Sequence, residues 1–135
     1  MTRINCVKPE TLSNAHLLAE YRELPRIFGL VSAAILRGEQ PDNIKNPVAY
    51  TLGTGHCRFF YNKLGYLYKR QADICRELRK RGYQLSYDHY GLGKDIDVVY
   101  HEGWWGDWTP TIHDQHVSLA RLKERDPVYY ADHEI

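Results

Sequence analysis

Cysteine is scarce: Cys6, Cys57 and Cys75 are the only three in 135 residues, an odd number without paired spacing. That count excludes a disulfide framework and fits reduced thiols in a cytoplasm. Charge of one sign is equally scarce. Eighteen basic residues stand against 17 acidic ones, a net charge of +1, so any phosphate-binding surface has to come from local clustering rather than from the field of the whole chain. Charge breaks every apolar run before it reaches the roughly 20 residues that a bilayer-spanning helix needs. No basic-then-apolar leader opens the chain, so neither a signal peptide nor a membrane association is expected. Internal repeats and low-complexity stretches are also missing. What remains is an ordinary globular composition, 43% hydrophobic and 26% charged, over a length that suits one domain spanning residues 1–135.

The clearest pattern lies between residues 13 and 37. Leu17, Tyr21, Leu24, Phe28, Val31 and Ile35 recur at alternating spacings of 4 and 3, the mark of one apolar helix stripe. Ser13 or Asn14 caps its start and Gly38 stops it. Pro25 lies inside, and by removing one donor and crowding the carbonyl four residues back it predicts a kink near residues 21–25. After a loop over residues 39–55, punctuated by proline, asparagine and glycine, a second helix is predicted from about 57 to 81. Phe60, Leu64, Leu67, Ile74 and Leu78 form its stripe, Gln71 interrupts it, and Arg79, Lys80 and Arg81 close it. Residues 83–108 show no sustained period and read as a long connection with a short strand at Ile96 to Tyr100, anchored by Trp104, Trp105 and Trp108. Thr109 and Pro110 read as the N-cap and first position of a third helix that stops before Pro127, with Ile112, Leu119 and Leu122 facing inward. The fold expected is all-α: a single compact domain of three main helices with long irregular connections.

On the first helix, His16, Glu20 and Glu23 share a sector beside the apolar stripe, with Arg26 and Arg22 on the side away from it. One face therefore carries carboxylates and guanidinium groups together. A solvated surface with ordinary i,i+4 pairs accounts for this by itself, and a site for acid–base chemistry on a phosphate-bearing substrate is the sharper reading. Metal chemistry is a rival of a different class, since His56 and Cys57, His89, His101 and Glu102, and His113, Asp114 and His116 carry ligand atoms. Their spacings fit no common site, so no metal and no cofactor are expected.

Several segments together carry a resemblance: Met1-Thr2-Arg3-Ile4-Asn5; His16-Leu17-Leu18-Ala19-Glu20-Tyr21-Arg22-Glu23-Leu24-Pro25-Arg26; Leu52-Gly53-x-Gly55-His56; Phe59-Phe60-Tyr61-x-Lys63-Leu64; Lys69-Arg70-Gln71; and Lys80-Arg81-Gly82. In register from about residue 1 to 82, the chain resembles the pyrimidine dimer DNA glycosylase family. The likeness thins after Gly82, has no clear counterpart over residues 83–106, and returns at Asp107-Trp108-x-Pro110 and Ser118-x-Ala120-Arg121-Leu122. The resemblance implies an enzyme that excises the base at ultraviolet-damaged pyrimidines in duplex DNA and then nicks the abasic site by β-elimination. It further implies a monomer in the cytoplasm of a bacterial or phage-infected cell. By position, the nucleophile is the α-amino group of Thr2 after removal of Met1, and the catalytic carboxylate is Glu23. Arg3, His16, Arg22, Arg26, His56, Lys69, Arg70 and Arg121 are the expected DNA contacts. Altered lesion specificity and a non-catalytic DNA-binding descendant are the alternatives within the same fold. The chemistry suits these groups: an α-amine with an ordinary pKa of about 7.7–8.0 is partly neutral near pH 7, whereas lysine near 10.4 is almost wholly charged.

Overall fold

The computed structural model describes residues 2–85 and 103–135. It is helical, with no strand among the described residues and one isolated antiparallel bridge, between Lys63 and Trp105. A 3-10 turn at Pro9–Thr11 leads into α1 (Asn14–Glu23), followed by α2 (Pro25–Leu36), a single turn α3 (His56–Phe59), α4 (Leu64–Lys80) and α5 (Ile112–Arg125).

The first predicted helix is divided at Leu24 and Pro25. Leu24 keeps helical dihedrals, φ −56° and ψ −43°, so the chain bends rather than turns away. Proline has no N–H for the Tyr21 carbonyl; Gln71 Nε2 of α4 donates to that carbonyl instead, at 3.0 Å. The one polar residue in the second stripe thus lies fully buried where the proline has left an acceptor to satisfy. Ser13 caps α1 by accepting from the His16 N–H at 3.2 Å. Gly38, at φ +84°, ends α2, its N–H reaching Ile35 O at 2.9 Å while the Glu39 N–H reaches Ala34 O at 3.0 Å.

The second predicted helix is interrupted, which corrects the reading of one continuous span. Residues 60–63 form a turn because the segment 104–106 crosses there: Leu64 N–H donates to Trp104 O at 3.0 Å, Tyr66 N–H to Gly106 O at 3.2 Å, and Gly106 N–H to Asn62 O at 3.1 Å. These bonds satisfy donors that an α4 start would otherwise leave open. The crossing is close enough that a Cβ at Gly65 would stand 2.8 Å from Trp105 O. Trp108 sits among Tyr50, Phe59, Phe60 and Tyr66 at centroid separations of 4.9–5.7 Å, anchoring the connection as expected. The third helix begins two residues later than predicted. Thr111 is its N-cap, because a reciprocal capping box with Asp114 closes there at 2.9 and 3.0 Å. Ile112 consequently faces solvent at 68% exposure, while Leu119 and Leu122 are buried. The proposed strand at 96–100, together with His89, His101 and Glu102, lies outside the described residues.

Buried side chains from α1, α2, the Leu24 junction between them and α4 (Leu17, Leu24, Phe28, Val31, Leu64, Leu67, Ile74) form the core together with Ile4. The N-terminal segment is therefore an interior strut. Residues 4–7 are buried, and an extended chain there needs partners for its backbone groups. Side chains from five other parts of the chain provide them.

Candidate active site

His56, Tyr50, Glu20, Ser118 and Arg70 hold the N-terminal strut. His56 Nε2 accepts the Ile4 N–H at 2.8 Å and Tyr50 O–H donates to Ile4 O at 2.9 Å. Glu20 Oε1 accepts the Asn5 N–H at 3.2 Å and Asn5 Nδ2 at 2.9 Å, the Cys6 N–H donates to Ser118 Oγ at 3.2 Å, and Arg70 donates to Val7 O at 2.7 Å. Glu20 in turn is bridged by Arg70 Nε at 2.6 Å, with the two side chains 0% and 6% exposed. A buried pair of this kind is tolerable because both partners are otherwise hydrogen-bonded.

The strut ends at Thr2. Its Oγ1 donates to Glu23 Oε2 at 3.1 Å, and Arg26 reaches the same oxygen at 2.8 Å. Glu23 stands at the last turn of α1, immediately before the proline bend, and keeps 30% of its side chain exposed. The Arg26 hydrogen bond, assisted by the Thr2 hydroxyl and opposed by partial burial, holds the Glu23 carboxyl below its ordinary 4.5. Glu23 is thus an anion at neutral pH, fixed but reachable. It borders a cleft of roughly 380 Å³ that also receives Arg3, His16, Arg121 and Arg125. Arg121 is pulled below its usual value by burial and by repulsion from Arg3 and Arg125. Three guanidinium groups converging on one cleft favour an anionic occupant, and a phosphate relieves their mutual repulsion.

The structure brings together Thr2, Glu23, Arg3, His16, Arg26 and Arg121 from the expected set. Arg22 is exposed on α1, and Lys69 is exposed on α4 and paired with Asp107 at 3.0 Å. Two of the expected DNA contacts, His56 and Arg70, face inward in this structure. His56 is 2% exposed and occupied on both ring nitrogens, since its Nδ1 lies 2.7 Å from Thr51 O; Nδ1 is the protonated nitrogen, because Nε2 accepts from Ile4. Arg70 is 7% exposed and held by Glu20 and Val7. Both position the strut from behind. Glu20 likewise leaves the set of available carboxylates. Arg125 was missed, although its place one helical turn after Arg121 is visible in the sequence once that helix is known.

Residues 1–90 match the family described as pyrimidine dimer DNA glycosylase. The chain belongs to this family. Its members act on DNA containing pyrimidine dimers, so the positively lined cleft beside Glu23 belongs to a DNA repair glycosylase. Among the described residues, no helix is long and apolar enough to cross a membrane.

His56 gives this glycosylase fold a defined acid limit. Burial pushes its imidazole down from 6.5 to about 4, against the support of the Thr51 carbonyl. A base whose folded value is depressed contributes stability that is fully present above the unfolded value and is lost as pH falls from about 6.5 toward 4. The linked loss is roughly 3 kcal/mol. Urea midpoints should therefore fall across this window, and less steeply in His56→Gln than in the parent; equal slopes in both would remove His56 as the cause.

Proposed function

We propose that this glycosylase is also an abasic-site lyase whose nucleophile is the α-amino group of Thr2, exposed when Met1 is removed. The neutral amine attacks C1′ of the damaged nucleotide and the base departs with one of the amine protons; the C1′–O4′ bond then opens as O4′ takes the other, leaving an imine between the Thr2 nitrogen and the sugar. Glu23 stabilises the positive character that develops at the sugar as the base leaves. It then accepts the C2′ proton, and elimination expels the 3′ phosphate and nicks the strand. The observation that carries this reading is the 3.1 Å contact between Thr2 and an ionised, partly exposed Glu23 at the end of a pinned strut.

Arg3, Arg26, Arg121 and Arg125 are proposed to hold phosphates around the lesion, with His16 in the same cleft and Arg22 and Lys69 on flanking surface. The partner is duplex DNA bearing damaged pyrimidines or abasic sites, bound by a monomer in the cytoplasm without metal or cofactor. Base extrusion, which is least costly where damage has weakened pairing, would open the site to the strand. The test compares incision of irradiated, abasic and intact duplexes, together with the salt dependence of binding. Arg121→Gln should lower the slope of log K against log salt by about one. An unchanged slope removes Arg121 from the phosphate contacts, and incision indifferent to damage contradicts the assignment.

A further inference from the structure

The C-terminal tail packs against His16, which lines the same cleft. Tyr130 is fully buried, and its hydroxyl lies 2.7 Å from His16 Nδ1, with the two rings stacked at 5.5 Å and 23°. The same oxygen accepts the Ser13 N–H at 3.0 Å and lies 3.4 Å from Ser13 Oγ. With Nδ1 so occupied, Nε2 is the ring nitrogen left for a partner on a residue that lines the cleft.

This arrangement tolerates either charge state of the imidazole. When His16 is neutral, the Tyr130 O–H donates to Nδ1 and Nε2 carries the ring proton. When His16 is protonated, Nδ1–H donates to the Tyr130 oxygen and the phenol proton swings to Ser13 Oγ. In both states Nδ1 keeps a partner and Nε2 carries a proton that it can donate. A hydrophobic residue behind the ring would allow neither tautomer to be fixed.

We propose that Tyr130 is a positioning residue for His16, holding its ring so that Nε2–H donates to a DNA phosphate in the cleft and the imidazole takes up a proton as that phosphate binds. The inference rests on the cleft being the DNA site. The groups around His16 agree with it. Arg121 and Arg125 of α5 and Arg3 of the strut share the cleft, Glu20 and Glu23 lie on its own helix, and Asp126 follows α5. Burial holds the free imidazole below its ordinary 6.5, with Asp126 opposing and Arg121 and Arg125 reinforcing. An arriving phosphate cancels the arginine repulsion and adds an acceptor, so it draws the proton onto the ring.

The test uses the full chain and a duplex carrying a tetrahydrofuran abasic analogue, which cannot form an imine. Binding is followed by anisotropy from pH 5.5 to 8, and His16 titration by NMR with and without the duplex. The parent should bind about three- to tenfold more tightly at the acid end, with the His16 titration moving upward in the complex. Tyr130→Phe keeps the stacked ring and should shift the His16 titration in the free protein and shrink the pH dependence. His16→Gln, on a half-buried position with Tyr130 intact, should flatten it. Binding by all three proteins with one common pH profile overturns the inference alone. Failure of the parent to bind the duplex at any pH overturns the DNA reading of the cleft and this inference with it.

Discussion

Glu23→Gln is expected to abolish strand cleavage, by about a thousandfold or more, while binding of an abasic-analogue duplex stays within a few fold. The substitution keeps the shape of the side chain and can still accept from the Thr2 hydroxyl and Arg26, whose contacts at 3.1 and 2.8 Å locate it. On the proposed mechanism it removes both the charge that stabilises the sugar as the base departs and the group that takes the C2′ proton. Loss of one preorganised electrostatic partner in an enclosed site typically costs 10²–10³ in rate, and loss of a general base 10²–10⁴. Both functions are lost together here. The acid side of the parent's pH profile follows from the same geometry. Because Arg26 holds the Glu23 carboxyl below its ordinary 4.5, the carboxylate persists as pH falls through that value, and Arg26→Gln should move the acid limb toward higher pH. Gel assays of irradiated duplex measure the rates; parent-like turnover by Glu23→Gln would remove this residue from the mechanism.

The second large effect is on the strut. Arg70→Leu leaves the Glu20 carboxylate buried at 1% exposure without its counter-charge and the Val7 carbonyl without its donor. Breaking one side of a buried pair costs about 3–5 kcal/mol, which for a chain of this length corresponds to a melting shift on the order of 10–20 °C. Stability and activity should fall together, because Glu20 also holds both nitrogens of Asn5, three residues from Thr2. A double replacement of Glu20 and Arg70 by well-packed Met and Leu should recover much of the stability and little of the incision, since the strut still lacks its polar anchors. Calorimetry and incision assays on the same samples separate the two outcomes. Full recovery of both would show that the pair does not position the site.

These two cases also mark what the sequence makes visible. Helical spacing located the buried face of α1 and α2 from Leu17 to Val31 and of α4 from Leu64 to Leu78, because apolar periodicity is a local signal. It also placed Glu23 and Arg26 together, one turn apart. In the sequence Arg70 and His56 look like DNA contacts and Gln71 like an interruption, since each is polar and its partner lies 50 or more residues away: Glu20, Ile4 and Tyr21. No local pattern distinguishes an arginine that meets a phosphate from one that meets a buried carboxylate. The division at residues 60–63 was hidden for the same reason, being imposed by Trp104 to Gly106 arriving from about 40 residues downstream. Tyr130 was legible only as an aromatic in a tail; its bond to His16 spans 114 positions.

Borohydride trapping tests the central claim most directly, using protein verified by intact mass to lack Met1, an abasic duplex, and EDTA throughout. Reduction should yield a covalent protein–DNA complex, and peptide mapping should place the modification on the Thr2 nitrogen, with little or no complex from protein that retains Met1. A complex mapped to a lysine, or none from processed protein that binds the duplex, would contradict the account.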